Sequence, residues 1–187
     1  MRGLRRWGPL VVAVAGSLVV LAVLTALLMP PLRSALAAET VEDRRAFVVE
    51  ASGDASVGSS AGSSVGSSVE VTPPLGWSVQ PAVGGGLLVI SPDRLFAVTI
   101  VPCTAADAEA ALEAELQARR SQGGAVLVET LENGAEVRHV DSERRALVEL
   151  SIGEGVVLVD AEARQGARLG DYRVALSELL LEIRPAG

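Results

Sequence analysis

One histidine and one aspartate have a spacing that could support hydrolytic chemistry. His139 is the sole histidine of the chain, and Asp141 follows it by two positions. In an extended strand both side chains point to the same face, and a serine such as Ser91 or Ser151 would complete a Ser–His–Asp set. We predict no nucleophile elbow, the G-x-S-x-G turn that exposes a catalytic serine between a strand and a helix. We therefore assign no catalytic residue and interpret His139 as a polar strand residue.

The residue types present give little basis for metal or cofactor chemistry. The single cysteine, Cys103, is far from His139 in sequence, and the carboxylates do not follow a calcium-loop pattern. The chain has no lysine, which excludes a phosphate-loop lysine and a Schiff base. We interpret Cys103 as a small buried hydrophobic residue, with a reactive thiol or an intermolecular disulfide as alternatives. We predict no metal ion and no cofactor.

Four residues are candidates for contacting a ligand: Trp77, Arg138, His139 and Arg144. Trp77 follows a glycine and would either line a pocket or pack in the core. Arg138 and Arg144 form, with Arg145, a small basic cluster that could hold a carboxylate. The alternative for these arginines is exposed ion pairing with neighbouring glutamates, which contributes little to stability.

The hydrophobic pattern predicts an α+β domain with an antiparallel β-sheet. Apolar runs that alternate with polar residues and are separated by Gly, Pro and Asn turns are typical of strands with short connections. Apolar residues at three- and four-residue spacing predict two covering helices at about 104–122 and 169–183. Asp171 would cap the second helix, and Ile183 would lie on its apolar face. The predicted strands are 68–72, 77–80, 87–91, 95–101, 125–131, 135–141, 146–152 and 156–164.

An uncharged run of 22 residues, 8–29, lies near the N-terminus. As a helix at about 1.5 Å per residue it spans about 33 Å, enough for a hydrocarbon core of about 30 Å. Three arginines precede this run and Arg33 follows it. The positive-inside rule therefore places residues 1–7 in the cytoplasm and the rest of the chain outside. The alternative is a signal peptide that is cleaved near Ala37/Ala38, followed by secretion.

The composition changes between this run and the predicted domain. Residues 30–68 are predicted to be a juxtamembrane segment and linker, which ends in a Gly/Ser tetrad repeated three times, 57–68. Such a composition cannot bury enough apolar surface to fold, so it predicts a flexible tether or a long loop. The apolar patch 46–49 is either a first strand or a juxtamembrane stub. The folded domain is expected at 69–184.

Charge is distributed unevenly along the chain. From Ser34 onward there are 12 arginines and 23 acidic residues, so the net charge there is 12 − 23 = −11. A strongly negative domain repels phosphate backbones and anionic lipid, which argues against nucleic acid as a partner. The absence of lysine beside abundant Ala, Val, Gly and Arg also indicates a GC-rich bacterial genome.

A short motif, PLGWSV at 74–79, a turn, ISPD at 90–93, and the closing amphipathic helix resemble segments of one protein family. That family is the PsbP-like α/β/α sandwich, as found in small exported actinobacterial proteins of the LpqN type. The resemblance covers roughly residues 69–184 and implies an accessory or binding protein. None of the family's functional residues matches a position in this chain, so none is carried over.

These patterns predict a membrane-tethered binding or accessory module outside the cytoplasmic membrane of a bacterial envelope, without enzyme activity. Its partners would be the lipid bilayer, through residues 8–29, and an envelope protein or a small ligand. One alternative is an exported hydrolase that uses His139 and Asp141. Another is a structural subunit of a membrane complex.

Overall fold

A computed structural model describes residues 38–50, 68–82, 85–122 and 124–186, and from Glu39 onward the chain forms one compact unit. The described part holds two α-helices, α1 (Ala105–Arg119) and α2 (Arg173–Leu181). A 3-10 turn follows α1 at Arg120–Gln122, and another precedes α2 at Leu169–Tyr172. The strands are β1 (Glu39–Thr40), β2 (Phe47–Glu50), β3 (Ser68–Val71), β4 (Ser78–Pro81), β5 (Leu87–Ile90), β6 (Phe96–Cys103), β7 (Leu127–Thr130), β8 (Glu136–Asp141), β9 (Arg145–Ile152), β10 (Gly155–Ala163) and β11 (Ile183–Pro185).

The main element is an eight-stranded sheet in the order β1-β4-β5-β6-β10-β9-β8-β7. All of its pairings in the described part are antiparallel, and β7 to β10 form a meander. Short turns at Gly134 and Gly153, both with positive φ, join consecutive strands of this meander. A second sheet has three antiparallel strands in the order β11-β3-β2. The prediction of an α+β fold with an antiparallel sheet and two helices is therefore confirmed.

Helix α1 covers one face of the large sheet. Leu112 is buried against Val140 of β8 and Leu147 of β9. Thr104 is the N-cap of this helix, as predicted. Its hydroxyl accepts a hydrogen bond from the Asp107 N–H at 3.2 Å. One ion pair, between Glu115 of α1 and Arg145 of β9, also joins the helix to the sheet.

Helix α2 and the three-stranded sheet cover the opposite face, where the larger core lies. Leu179 of α2 and Val71 of β3 are fully buried there. Phe96 lies in the middle of this core, edge-to-face with Trp77 at 6.1 Å and stacked on Tyr172 at 4.7 Å between ring centroids. The result is a layered arrangement in which the central sheet is covered on both sides.

Two predictions about the C-terminal helix are wrong. The α-helix begins at Arg173, and Asp171 lies in the preceding 3-10 turn, where its Oδ2 accepts the Arg168 N–H at 3.1 Å. Ile183 lies in strand β11, where it pairs with Val71. The residue is buried in either case, and apolar periodicity does not distinguish a helix end from the start of a short strand.

The segment before residue 69 contributes two strands to the compact unit. The apolar patch 46–49 is part of strand β2, which resolves its two interpretations, and β1 lies at Glu39–Thr40. Glu50 of β2 pairs directly with Ser68 of β3, so residues 51–67, which contain most of the Gly/Ser repeat, connect two paired strands. Neither α1 nor α2, the two α-helices of the described ranges, has the length and hydropathy of a transmembrane span. The predicted membrane segment 8–29 lies outside the described residues.

Candidate functional site

His139 lies in the middle of strand β8, with its side chain on the face that α2 covers. Only 6% of this side chain is exposed. Its Nδ1 lies 2.8 Å from Oδ1 of Asp141, as expected for residues two positions apart on one strand face. This contact orients the imidazole ring and places a proton on Nδ1 facing the carboxylate.

Asp141 connects the histidine to helix α2. Its second oxygen, Oδ2, accepts a hydrogen bond from the guanidinium of Arg173, the first residue of the helix. Burial acts to raise the pKa of Asp141, but the contacts with His139 and Arg173 outweigh it, and the pKa lies below its ordinary value. The carboxylate therefore stays ionised and holds both neighbours.

The other ring nitrogen of His139, Nε2, is buried and has no hydrogen-bond partner among the described residues. Oε1 of Glu129, on the neighbouring strand β7, lies 3.5 Å from this Nε2, which is longer than an ordinary N–H···O bond. The hydrogen bond to Asp141 raises the pKa of His139; burial opposes this effect, and the charges of Asp141 and Glu129 add to it. If Nε2 also carried a proton, each ring nitrogen would face a carboxylate, Nδ1 that of Asp141 and Nε2 that of Glu129.

A small cleft lies beside His139, between the sheet and α2. Its volume of about 70 Å³ accommodates a few water molecules. Pockets that enclose small-molecule ligands usually measure roughly 300–1,000 Å³. Ser177, one helical turn after Arg173, lines the same cleft as His139 and Asp141. The cleft thus brings a serine, a histidine and an aspartate together in a space too small for a substrate of ordinary size.

This arrangement can hold and exchange a proton, and it links strands β7 and β8 to helix α2. A serine hydrolase also needs the serine hydroxyl in contact with Nε2 and room for the scissile carbonyl. Nε2 makes no such contact with Ser177. The geometry favours a structural and titratable role for His139.

The two serines named from the sequence lie elsewhere. Ser91 is buried in the turn between β5 and β6, where its hydroxyl accepts the Phe96 N–H at 3.0 Å. Ser151 is exposed near the end of β9 and does not line the His139 cleft. The sequence also contains G-x-S-x-G strings at 58–62 and 62–66, which lie within the Gly/Ser repeat and outside the described residues.

The four candidate ligand-binding residues are not brought together. Trp77 is 6% exposed and packs in the core against Phe96. Arg138 points to the opposite face of the sheet from His139, where it pairs with Glu149 at 3.1 Å. Arg144 is exposed in the turn before β9. Within the described part of the chain, these four side chains therefore do not line one common cleft.

The ion pairs of the basic cluster differ from those expected. Arg145 makes a two-pronged contact with Asp160 at 2.7 and 2.8 Å and reaches Glu115 of α1 at 3.2 Å. The pKa of Arg145 is raised, first by its hydrogen bonds to Asp160. Arg138 and Arg145 thus pair with carboxylates on a neighbouring strand or on α1, not with glutamates close to them in sequence. Alternate positions of a strand face opposite sides of the sheet, so side chains on one face meet across strands.

Cys103 is half-buried at the end of β6. Burial and, to a lesser degree, the charge of Asp107 raise the pKa of its thiol, which lowers the thiolate fraction at neutral pH. No group of three His, Cys, Asp or Glu residues within the described ranges is arranged to hold a metal ion.

Three residues of the His139 cleft were missed from the sequence: Glu129, Arg173 and Ser177. Arg173 and Ser177 are four positions apart, at the border of the apolar face formed by Leu176 and Leu180. Their position could have indicated the cleft from the sequence, because side chains at the border of an apolar helix face lie where the helix meets the sheet. Glu129 depends on the register of β7 against β8, which no local pattern provides.

No protein-family model and no curated protein matches this sequence. Among solved structures, the chain is similar to the solution structure of cyanobacterial PsbP (CyanoP) from Synechocystis sp. PCC 6803. The match has a TM-score of 0.42 and 13% sequence identity, and it covers 71% of this chain and 100% of that chain. It assigns no residue role and no activity here, and the LpqN-type part of the resemblance stays a prediction.

Proposed function

We propose that this chain is a membrane-tethered binding or accessory module that acts outside the cytoplasmic membrane of a bacterial envelope. Residues 8–29 are its uncleaved anchor, with residues 1–7 in the cytoplasm. The observation that carries the proposal is an uncharged, membrane-length segment, preceded by three arginines and followed by a compact unit that begins at Glu39. The similarity of residues 74–79 and 90–93 to small exported LpqN-type proteins supports an accessory role.

The connection between anchor and compact unit is short. Most of the Gly/Ser repeat connects β2 to β3, so only residues 30–38 are left as the tether. Fully extended, nine residues span at most about 30 Å. A short tether raises the effective concentration of the compact unit toward partners in the same membrane.

The size of the His139 cleft argues against catalysis at that place. Its volume is well below that of ordinary ligand pockets, and His139 Nε2 is closed off within it. A hydrolase is the second candidate, because Ser177 lines the cleft with His139 and Asp141. Labelling of the full chain by a fluorophosphonate probe, lost in Ser177→Ala, would establish the hydrolase; the binding proposal expects no labelling that depends on Ser177.

The binding function can be tested by crosslinking in intact cells. The full chain with a C-terminal tag is crosslinked, extracted in non-ionic detergent and purified, with residues 1–38 carrying the same tag as the matched control. The proposal expects an envelope protein or glycan that is enriched with the full chain and not with the control. Equal recovery of every protein and glycan with the full chain and with the control would overturn the binding proposal. A partner recovered in fixed stoichiometry with the full chain would favour a structural subunit of a membrane complex.

A further inference from the structure

Strand β7 is an exposed edge of the large sheet. Its four residues, Leu127–Thr130, are all solvent-exposed, and within the described residues the strand pairs with β8 alone. Leu127 is 47% and Val128 is 61% exposed, so each face of this edge strand carries one exposed apolar side chain. An edge strand presents unpaired backbone N–H and C=O groups that can pair with a further strand.

The other edges among the described strands are better protected. Strand β1 has two residues, and β11 contains Pro185, which has no N–H to donate. At β2, the guanidinium of Arg45 lies over the Phe47 ring, 4.8 Å from its centroid. Strand β7 contains no proline and no basic residue. It is therefore the edge most open to strand addition.

The surroundings of β7 are acidic. Glu129, Glu132 and Glu136 are exposed there, and within the described residues neither Glu132 nor Glu136 forms an ion pair. Two arginines of neighbouring elements already have acidic partners, since Arg138 pairs with Glu149 and Arg173 with Asp141. The charge that complements this edge is therefore positive.

We propose that β7 is the docking edge for an extended, cationic segment of a partner protein. The segment adds to the sheet beside β7 through backbone hydrogen bonds, with its apolar side chains on the face of Val128 and its basic side chains on the face of Glu129. A second copy of this chain is a poorer occupant, because two β7 edges would bring like charges together. This inference rests on the proposed binding function and specifies the partner's chemistry.

A peptide series tests the docking edge with the full chain in non-ionic detergent. The probe is fluorescein-labelled acetyl-Arg-Val-Arg-Val-Arg-Val-amide, followed by fluorescence anisotropy. One comparison peptide has Glu in place of Arg, and a second has Pro in place of the central Val. The proposal expects the cationic peptide to bind at least about tenfold more tightly than either comparison peptide. It also expects hydrogen exchange to slow at residues 127–130 on binding.

Matched variants locate the binding edge. Val128→Lys should weaken binding of the cationic peptide at least about tenfold, whereas Val48→Lys, at an equally exposed valine of the β2 edge, should leave it unchanged. Equal loss in both variants, undiminished binding of the proline peptide, or slowed exchange confined to other segments would each overturn the proposal. If Val128→Lys still captures the wild-type partner in cells, the docking edge fails while the binding function stands.

Discussion

His139 joins three elements through charged contacts. Its Nδ1 contacts Asp141 on its own strand, its Nε2 faces Glu129 on the edge strand, and Asp141 holds Arg173 at the start of α2. Two carboxylates and one guanidinium thus face or flank this imidazole, and the acidic groups predominate. A protonated histidine satisfies this environment better than a neutral one.

The stability of the fold should depend on the protonation of His139. Because the folded-state pKa is raised above 6.5, the stabilisation is fully present below the unfolded value and is lost as pH rises through the folded pKa. Urea unfolding at about pH 6 and about pH 8 should show a drop in unfolding free energy for the wild type. The drop should be smaller in His139→Gln, and an equal drop in both chains would refute this role.

Asp141 should be the most sensitive carboxylate of the cleft. Asp141→Asn removes the charge that holds both His139 and Arg173, and should cost about 1–3 kcal/mol of unfolding free energy at neutral pH. The matched control is Glu143→Gln, since Glu143 is 70% exposed and pairs with Arg168 in solvent. We expect that change to cost less than about 0.5 kcal/mol in the same urea titration. Equal effects would show that Asp141 is no more than a surface charge.

At the residue scale, the sequence predicts local contacts and misses those that depend on register. The pair His139 and Asp141 follows from the two-residue period of a strand. Glu129 and Arg173 reach the same site from an edge strand and a helix, and no spacing in the sequence relates them. Trp77 had two interpretations, and the structure selects the core because Phe96 lies edge-to-face with it.

At the element scale, α1 is held to the sheet by few apolar side chains. Leu112 is 1% exposed and contacts a small cluster that is separate from the larger core. Leu112→Ala should therefore destabilise the chain by about 2–5 kcal/mol, measured by urea unfolding. Glu109→Ala, an exposed change on the same helix, should alter stability by less than about 0.5 kcal/mol. A cost below about 1 kcal/mol for Leu112→Ala would mean that α1 contributes little.

The connection between β2 and β3 should tolerate shortening. Glu50 and Ser68 are already paired, so residues 51–67 close a loop whose entropic cost grows with its length. Deleting residues 54–65 leaves five connecting residues and should raise the unfolding free energy by about 1 kcal/mol. Reordering the same Gly and Ser residues without shortening the connection should leave the unfolding free energy unchanged. A clear loss of stability on deletion would contradict the hairpin assignment.

Element boundaries follow the sequence where turn residues mark them. Strands β4 to β10 begin and end within one or two residues of their predicted bounds, because Gly, Pro, Asn and Asp separate them. Strands β1 and β11, with two and three residues, show no detectable period and were missed. Composition alone does not decide between a tether and a loop for the Gly/Ser repeat. The pairing of Glu50 with Ser68 decides it, and this pairing cannot be predicted from composition.

At the scale of the whole molecule, charge should govern recognition. The chain beyond Ser34 carries a net charge of −11, and the acidic edge at β7 is part of that field. Binding of the cationic peptide should weaken several-fold between about 50 and about 300 mM NaCl, because the Debye length shortens. Fluorescence anisotropy at both salt concentrations measures this change. Salt-independent binding would mean that apolar contacts alone hold the peptide.

The central claim is that residues 8–29 cross the membrane and the compact unit lies outside the cytoplasm. The direct measurement is a pair of fusions at Gly187 in intact bacteria, one to alkaline phosphatase and one to green fluorescent protein. We expect an active phosphatase and a dark fluorescent protein, because the phosphatase folds only outside the cytoplasm and the fluorescent protein only inside it. An inactive phosphatase with bright cytosolic fluorescence would contradict both the location and the proposed role.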